Sequence, residues 1–148
     1  MILVPIWYGN PSLESLRALL GGTLVTHLGI EFVAITDDQL TARMPVDERT
    51  RQPYGMLHGG ASVALAETLG SAASALRVDP DRHTVNGIEV NANHIRAVSG
   101  GWVHGICRPL HLGRSTHVWD IRLHDDAGRL VCVSRLTVAV LKRKQERQ

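Results

Sequence analysis

Glu67 is a lone carboxylate inside a run of small and apolar residues, Ala61-Ser62-Val63-Ala64-Leu65-Ala66-Glu67-Thr68-Leu69-Gly70-Ser71, which opens on His58-Gly59-Gly60. A charge in such surroundings is either paired or put to use. Two glycines at a helix start leave backbone N–H groups bare and approachable. That end of a helix stabilises an anion, or an oxygen becoming one. One segment therefore offers an oxyanion site, with the Gly59 N–H as the donor, and a base or nucleophile in Glu67. This is a combination suited to acyl chemistry.

Spacing constrains how the two parts meet. Gly59 and Glu67 are eight residues apart, roughly 12 Å along a helix axis at about 1.5 Å per residue. A glutamate side chain does not close that gap. Either the groups do not cooperate, or two chains pair their helices antiparallel so that Glu67 of one faces Gly59 of the other, building two sites per dimer by symmetry. The plain alternative for Glu67 is a solvated helix face shared with Val63, Ser71 and Ser74, but its small apolar neighbours argue against it.

The elements that must hold these residues follow from periodicity. Residues 1–10 read as an extended or loosely docked arm. Ser12–Leu20 reads as a short helix, with Ser12 as N-cap, Leu13, Leu16 and Leu20 on one face, and Gly21-Gly22 as its stop. Leu28–Ile35 reads as a strand, and Asp37-Asp38 as the turn into a second strand where Leu40, Ala42, Met44 and Val46 alternate with polar residues. A loop over 47–55 leads to the long helix, 58–77, with an apolar stripe of Leu65, Leu69, Ala72 and Leu76. Four strands follow at 84–97 (Ile88, Val90 and Ala92 on one face), 102–112, 115–124 and 130–141, the last two joined by the turn Asp125-Asp126-Ala127-Gly128. No repeat or linker divides the chain. The expectation is one α+β domain over 1–148, with a core at about 12–141 and a solvated basic tail at 142–148. In it a long antiparallel sheet wraps one central helix. The sheet edges would then want a partner.

Bulk properties exclude several function classes. The 148 residues suffice for one packed core; 44% are hydrophobic and 20% charged, the balance of a soluble globular domain. A formal charge of +2 and few aromatics argue against a nucleic-acid surface. No apolar run reaches membrane-spanning length, and Met1–Trp7 lacks the basic start and cleavage site of a signal peptide. Cys107 and Cys132 then read as reduced core thiols, and a cytoplasmic location is expected. His104, His111, His117 and His124 are spaced seven, six and seven apart, which strands would scatter, so no metal site is expected. A Ser-hydrolase elbow, a phosphate loop and a dinucleotide fingerprint are all absent.

Taken together, Gln52-Pro53-Tyr54-Gly55-Met56-Leu57-His58-Gly59-Gly60-Ala61-Ser62 and Ala66-Glu67-Thr68-Leu69-Gly70-Ser71 resemble the hotdog-fold acyl-CoA thioesterases. The likeness is to the aryl-CoA branch, which includes the 1,4-dihydroxy-2-naphthoyl-CoA thioesterases and the proofreading thioesterases of enterobactin synthesis. Met44–Asp47, Asn91–Arg96, Gly105–Gly113 and Gly128–Leu130 resemble the same branch, so the likeness covers about residues 12–141. It implies the hotdog fold and hydrolysis of an acyl-CoA thioester by a homodimer, two of which form a tetramer. Coenzyme A would be part of the substrate and no cofactor would be needed. An acyl carrier protein is the alternative thioester carrier. A non-catalytic acyl-CoA-binding module on the same fold is the rival reading; the His-centred pattern of the dehydratase branch is absent.

By the resemblance, Glu67 is nucleophile or general base and Gly59 supplies the oxyanion N–H. Gln52 and His58 orient the thioester carbonyl, and Ser71 positions the attacking water. Gly87, His94, His111 and Gly113 are expected to line the CoA or acyl channel, and Arg96, Arg114 and Ser115, near strand ends, to reach the phosphate oxygens of CoA. In the naphthoyl-CoA group Ser-Arg follows His-Leu-Gly. Here the order is Arg114-Ser115, closer to the enterobactin-type pattern.

Overall fold

The computed structural model describes residues 4–144. The chain runs α1 (Leu13–Ala18), α2 (Leu24–His27), β1 (Glu31–Ile35), β2 (Leu40–Pro45), α3 (Gly59–Arg77), β3 (His83–His94), β4 (Trp102–Leu112), β5 (Thr116–Asp125) and β6 (Leu130–Lys142). The strands form one sheet in the order β1-β2-β4-β5-β6-β3, every pair antiparallel. α3 packs on one face of that sheet, touching β2, β3, β4, β5 and β6. This is the hotdog arrangement, with β1 and β3 as its open edges.

The period of α3 decides which face is covered. Leu65, Ala66, Leu69, Ala73 and Ser74 are buried against the sheet, where they meet Phe32, Met44, Trp119, Ile121 and Leu136. Val63, Glu67, Thr68 and Ser71 lie on the other side and are only half-buried, while the half-buried Ala64 and Ala72 still pack against the core. The sequence placed Ser74 on the Glu67 stripe, and that assignment is corrected. Its hydroxyl faces the core, accepting from Trp119 Nε1 (2.7 Å) and meeting His117 Nδ1 at 3.1 Å. At about 100° per residue position 74 falls between 63 and 67 on the helical wheel, so its burial comes not from the helical period but from β5, whose Trp119 and His117 rings close over it.

Four other expectations are revised. The expected strand over 28–35 begins only at Glu31, because Leu24–His27 forms a helical turn. The turn ends at Gly29, whose φ is +70°. The expected strand over 84–97 ends at His94, and its alternation breaks at Ile88, the extra residue between Gly87 and Glu89, which leaves Ile88 63% exposed while Val90 and Ala92 remain half-buried. The short helix is Leu13–Ala18, capped by Ser12 with Ser15 as the reciprocal partner. Within the arm expected over 1–10, residues 1–3 lie outside the described residues, as do 145–148 of the tail. Residues 6–8 are docked rather than loose. The Ile6 and Tyr8 N–H groups donate to Asp37 and Leu76 carbonyls, and Trp7 is buried, its Nε1 donating to Thr36 O at 2.5 Å. The Trp7 ring stacks on Trp119 at 6.4 Å between centroids.

Two predictions follow from the buried Trp119–Ser74–His117 network. Ser74→Ala leaves two buried ring nitrogens without their partner and is expected to cost about 1–3 kcal/mol, read as a shift of the urea unfolding midpoint. The His117 pKa is lowered from 6.5, first by burial and then by Arg77 and His111. The fold thus favours the neutral ring. Its contribution to stability is complete above about 6.5, the unfolded value, and is lost as pH falls towards the lower folded value. Unfolding midpoints of wild type and His117→Gln should therefore diverge between pH 7.5 and 5.5, the wild type losing more.

Candidate active site

The loop before α3 shapes the first part of the site. Backbone bonds fix it at both ends: His58 N–H to Thr50 O (2.8 Å), Leu57 N–H to Val98 O (2.7 Å) and Gln52 N–H to Met56 O (2.7 Å). His58 is the N-cap of α3, and its Nδ1 accepts from the Gly60 N–H at 2.8 Å. The His58 carbonyl accepts from Ala61 and Ser62. Gly59 N–H, alone among the first N–H groups of α3, has no partner among the described residues. The Gln52 side-chain oxygen accepts the Tyr54 N–H. Because a backbone N–H only donates, the Gln52 NH2 group is the end left to meet a ligand oxygen.

Gln52, Gly59, Ser62, His94 and Arg96 share a cavity of about 300 Å³ at this end of the helix. His94 lies directly over Gly59, where a β-carbon would come within 2.7 Å of the imidazole Nε2, so only glycine keeps that approach open. His58 is not brought to this cavity. Its side chain turns over Gly60 into a neighbouring depression with Leu24, Arg49 and Arg51.

Glu67 stands two turns further along. Its Oε1 accepts from Ser71 Oγ at 3.3 Å, so the expected pairing of these residues is present on the uncovered face of α3. The carboxylate rests against β3 at Gly87, where a β-carbon would meet Oε1 at 2.2 Å. Glu67 does not line the cavity of Gly59, in keeping with the axial separation of the two.

A third group gathers at the C-terminal end of α3. Gly113, Arg114 and Ser115 form the β4–β5 turn, closed by the Gly113 N–H to Thr116 O (2.9 Å), and they line a cavity of about 680 Å³. His111 lies beside this turn, its Nε2 within 2.6 Å of where a Gly113 β-carbon would stand. Arg77, His83 and Lys142 line the same cavity. Sequence reasoning missed these three. Arg77 reads as an ordinary cation in the last turn of a helix, and His83 meets Lys142 only through the β3–β6 register. The CoA-channel candidates thus fall into two sets at opposite ends of α3: His94 and Arg96 at one, His111 and Gly113–Ser115 at the other, with Gly87 between them beside Glu67.

Residues 54–132 match the family model of the thioesterase superfamily. The chain belongs to the thioesterase superfamily. It is 55% identical over 136 residues to the proofreading thioesterase EntH of Cronobacter turicensis, covering 92% of this chain and 98% of that one. It is 52% identical over 136 residues to the 1,4-dihydroxy-2-naphthoyl-CoA hydrolase of Escherichia coli K12, covering 92% and 99%. A crystal structure of thioesterase HI1161 from Haemophilus influenzae superposes with a TM-score of 0.91 at 45% identity, covering 97% and 99%. For a thioesterase, the bare amide at Gly59 is the kind of donor needed where a thioester carbonyl becomes tetrahedral.

The contact at Gly87 gives a prediction. Gly87→Ala pushes the Glu67 carboxylate off β3, and a displacement near 1 Å is expected to lower kcat by about 10²-fold. The unfolding midpoint should move little, since Gly87 is exposed. Full turnover in this variant would show that the carboxylate position does not govern hydrolysis.

Proposed function

We propose that this thioesterase hydrolyses an aryl-type acyl-CoA to the free acid and CoA, with Glu67 of one chain acting on a carbonyl held at Gly59 of a second. The observation that carries this reading is the pairing of a free Gly59 amide with a Glu67 carboxylate that its own chain cannot bring to it. The uncovered face of α3 and the open β3 edge are the surfaces on which a second copy would dock. The aryl class is suggested by the acyl group named for a similar hydrolase, and by the small Ala61, Val63, Ala64 and Ala72 of α3, which leave room for a flat ring.

In that dimer the thioester oxygen accepts from Gly59 N–H, with the Gln52 NH2 group facing the same cavity. Glu67 either attacks the carbonyl carbon, giving an acyl-enzyme anhydride that water opens, or removes a proton from the attacking water. Ser71, donating to Glu67 Oε1, fixes the carboxylate and the water beside it. Developing negative charge on the carbonyl oxygen is met by the helix end, and the thiolate leaves protonated as CoA-SH. His58 serves this reading by capping the helix and stiffening the loop of Gln52. We assign the protein to the cytoplasm, where CoA esters are made, and its working form to a tetramer of two such dimers.

A carrier-protein thioester is the second reading. Arg82, Lys142, Arg143 and Lys144 form a basic rim beside the C-terminal cavity, suited to an acidic partner surface. Comparing kcat/KM for an aryl-CoA and the same aryl group on a carrier protein, with and without salt, decides between them.

The dimer site is tested by mixing. Glu67→Gln and Gln52→Ala homodimers are each expected to lose several orders of magnitude in kcat. Refolded together in equal amounts, they should regain about one quarter of wild-type activity, since half the dimers hold one intact site of two. No recovery would place Glu67 and Gln52 in the same chain's site and end the proposal.

A further inference from the structure

The loop that carries Gln52 and ends at Gly59 is rooted in one fully buried polar residue. Thr50 is 1% exposed. Its hydroxyl donates to the Pro45 carbonyl at the end of β2 (2.7 Å) and accepts from the Asp47 N–H (3.1 Å). Its own N–H donates to the Asp47 carbonyl at 3.0 Å, and its carbonyl accepts the His58 N–H at 2.8 Å. Every polar group of Thr50 is therefore in use, and the bonds run two ways: back to the last residue of β2 and forward to the N-cap of α3.

The residue stands between the two donors of the site. Gln52 is two positions beyond Thr50, and the Gly59 N–H belongs to the peptide that follows His58. The chain between them closes on itself through Gln52 N–H to Met56 O and the Arg51–Leu57 bridge. Closing the turn does not require the hydroxyl, because Thr50 and Arg51 both donate backbone N–H groups to the Asp47 carbonyl. What the hydroxyl adds is a fixed link from the sheet to the start of α3.

We propose that Thr50 is a positioning residue for hydrolysis: its hydroxyl, tied to β2, fixes the His58 peptide and so aims the Gly59 N–H at the carbonyl oxygen of the transition state. The assignment rests on the two-chain thioesterase reading and deepens it. Thr50 acts on its own chain's end of the site only, since Glu67 is held separately by Ser71 and β3. An oxyanion contact tightens as the carbonyl becomes tetrahedral, so an error in its aim lowers kcat and leaves ground-state binding in place.

The test compares Thr50→Val, which keeps the shape and loses the hydroxyl, with Thr50→Ser, which keeps the hydroxyl. For benzoyl-CoA, well below each unfolding midpoint, Thr50→Val should lower kcat about 10- to 100-fold with KM within about twofold, and Thr50→Ser should stay within about threefold of wild type. Wild-type kcat in Thr50→Val, a loss carried by KM alone, or an equal loss in Thr50→Ser overturns the proposal. If Thr50→Val does not fold, Thr50→Ala replaces it, and wild-type kcat there has the same consequence. Mixing then locates the effect. Thr50→Val refolded with an equal amount of Glu67→Gln should reach about one quarter of wild-type activity, because half the dimers pair an intact Gly59 end with an intact Glu67. Thr50→Val refolded with Gln52→Ala should gain nothing. The reverse pattern would place the effect at Glu67 and sink the assignment. The Glu67→Gln and Gln52→Ala mixture keeps the two readings apart. If that pair recovers activity and Thr50→Val with Glu67→Gln does not, Thr50 alone fails. If that pair does not recover, the two-chain reading fails, while a kcat loss in Thr50→Val that Thr50→Ser restores still sustains Thr50 as a positioning residue.

Discussion

A single α-helix fixes the distance between the free amide at Gly59, the carboxylate of Glu67 and the guanidinium of Arg77, and a hydrogen-bonded helix buried on one side does not bend to bring them together. The chain therefore carries three stations on one rigid ruler, at the start, middle and end of α3. Much of the remaining structure can be understood as holding that ruler in place while keeping one of its faces free. The sheet takes Leu65, Ala66, Leu69, Ala73 and Ser74. The docked arm at Ile6–Tyr8 seals the C-terminal end through the Leu76 carbonyl and the Trp7–Trp119 stack. Nothing in the same chain covers Val63, Glu67 or Ser71 completely.

Polar groups are used sparingly and at defined points. Within the core, Ser74 ties α3 to β5 through Trp119 and His117, and His117 stands next to the turn that carries Gly113–Ser115. The position of that turn relative to Arg77 is thus set by a buried network, not by exposed ion pairs, which hold chains only weakly. The ion pair Arg43–Glu31 lies on exposed positions of β1 and β2. The cations near the two ends of the helix, Arg96 and Arg77, have no carboxylate partner among the described residues.

Most of the architecture was legible because it follows from periodicity. The extent of α3 and the alternation in β2 were read from residue spacing alone. The chemistry-bearing pair Gly59 and Glu67 was read from residue types that do not suit a plain core helix. What stayed illegible depends on long-range packing and register. Ser74 lies on the Glu67 line by helical period, yet the rings of Trp119 and His117 on β5 close over it. Ile88 fits an apolar alternation, yet a bulge against β6 turns it outward. The sequence gives no sign that Leu24–His27 should be helical: its Val and Thr favour a strand, and the local capping of Thr23 by Thr26 overrides them. Arg77 and His83 lie close in sequence but Lys142 is remote from both, and the three carry no motif. Only the β3–β6 pairing and the end of α3 bring them to one cavity.

The division of the site along the helix separates two kinds of selectivity. In the proposed dimer, groups at the start and middle of α3 would meet the carbonyl and the acyl group, so changes there would act on the transition state and on the shape of the acid released. Groups at the far end would meet the carrier, whose distance from the bond being broken is fixed by the arm and not by the acyl group. Binding at the far end is the same for substrate and transition state and so bears on KM. If the two ends that form one site belong to different chains, neither selectivity exists in a monomer. A substitution on the uncovered face of α3 that weakens pairing would then remove turnover and carrier recognition together, while a substitution inside either cavity would remove only one.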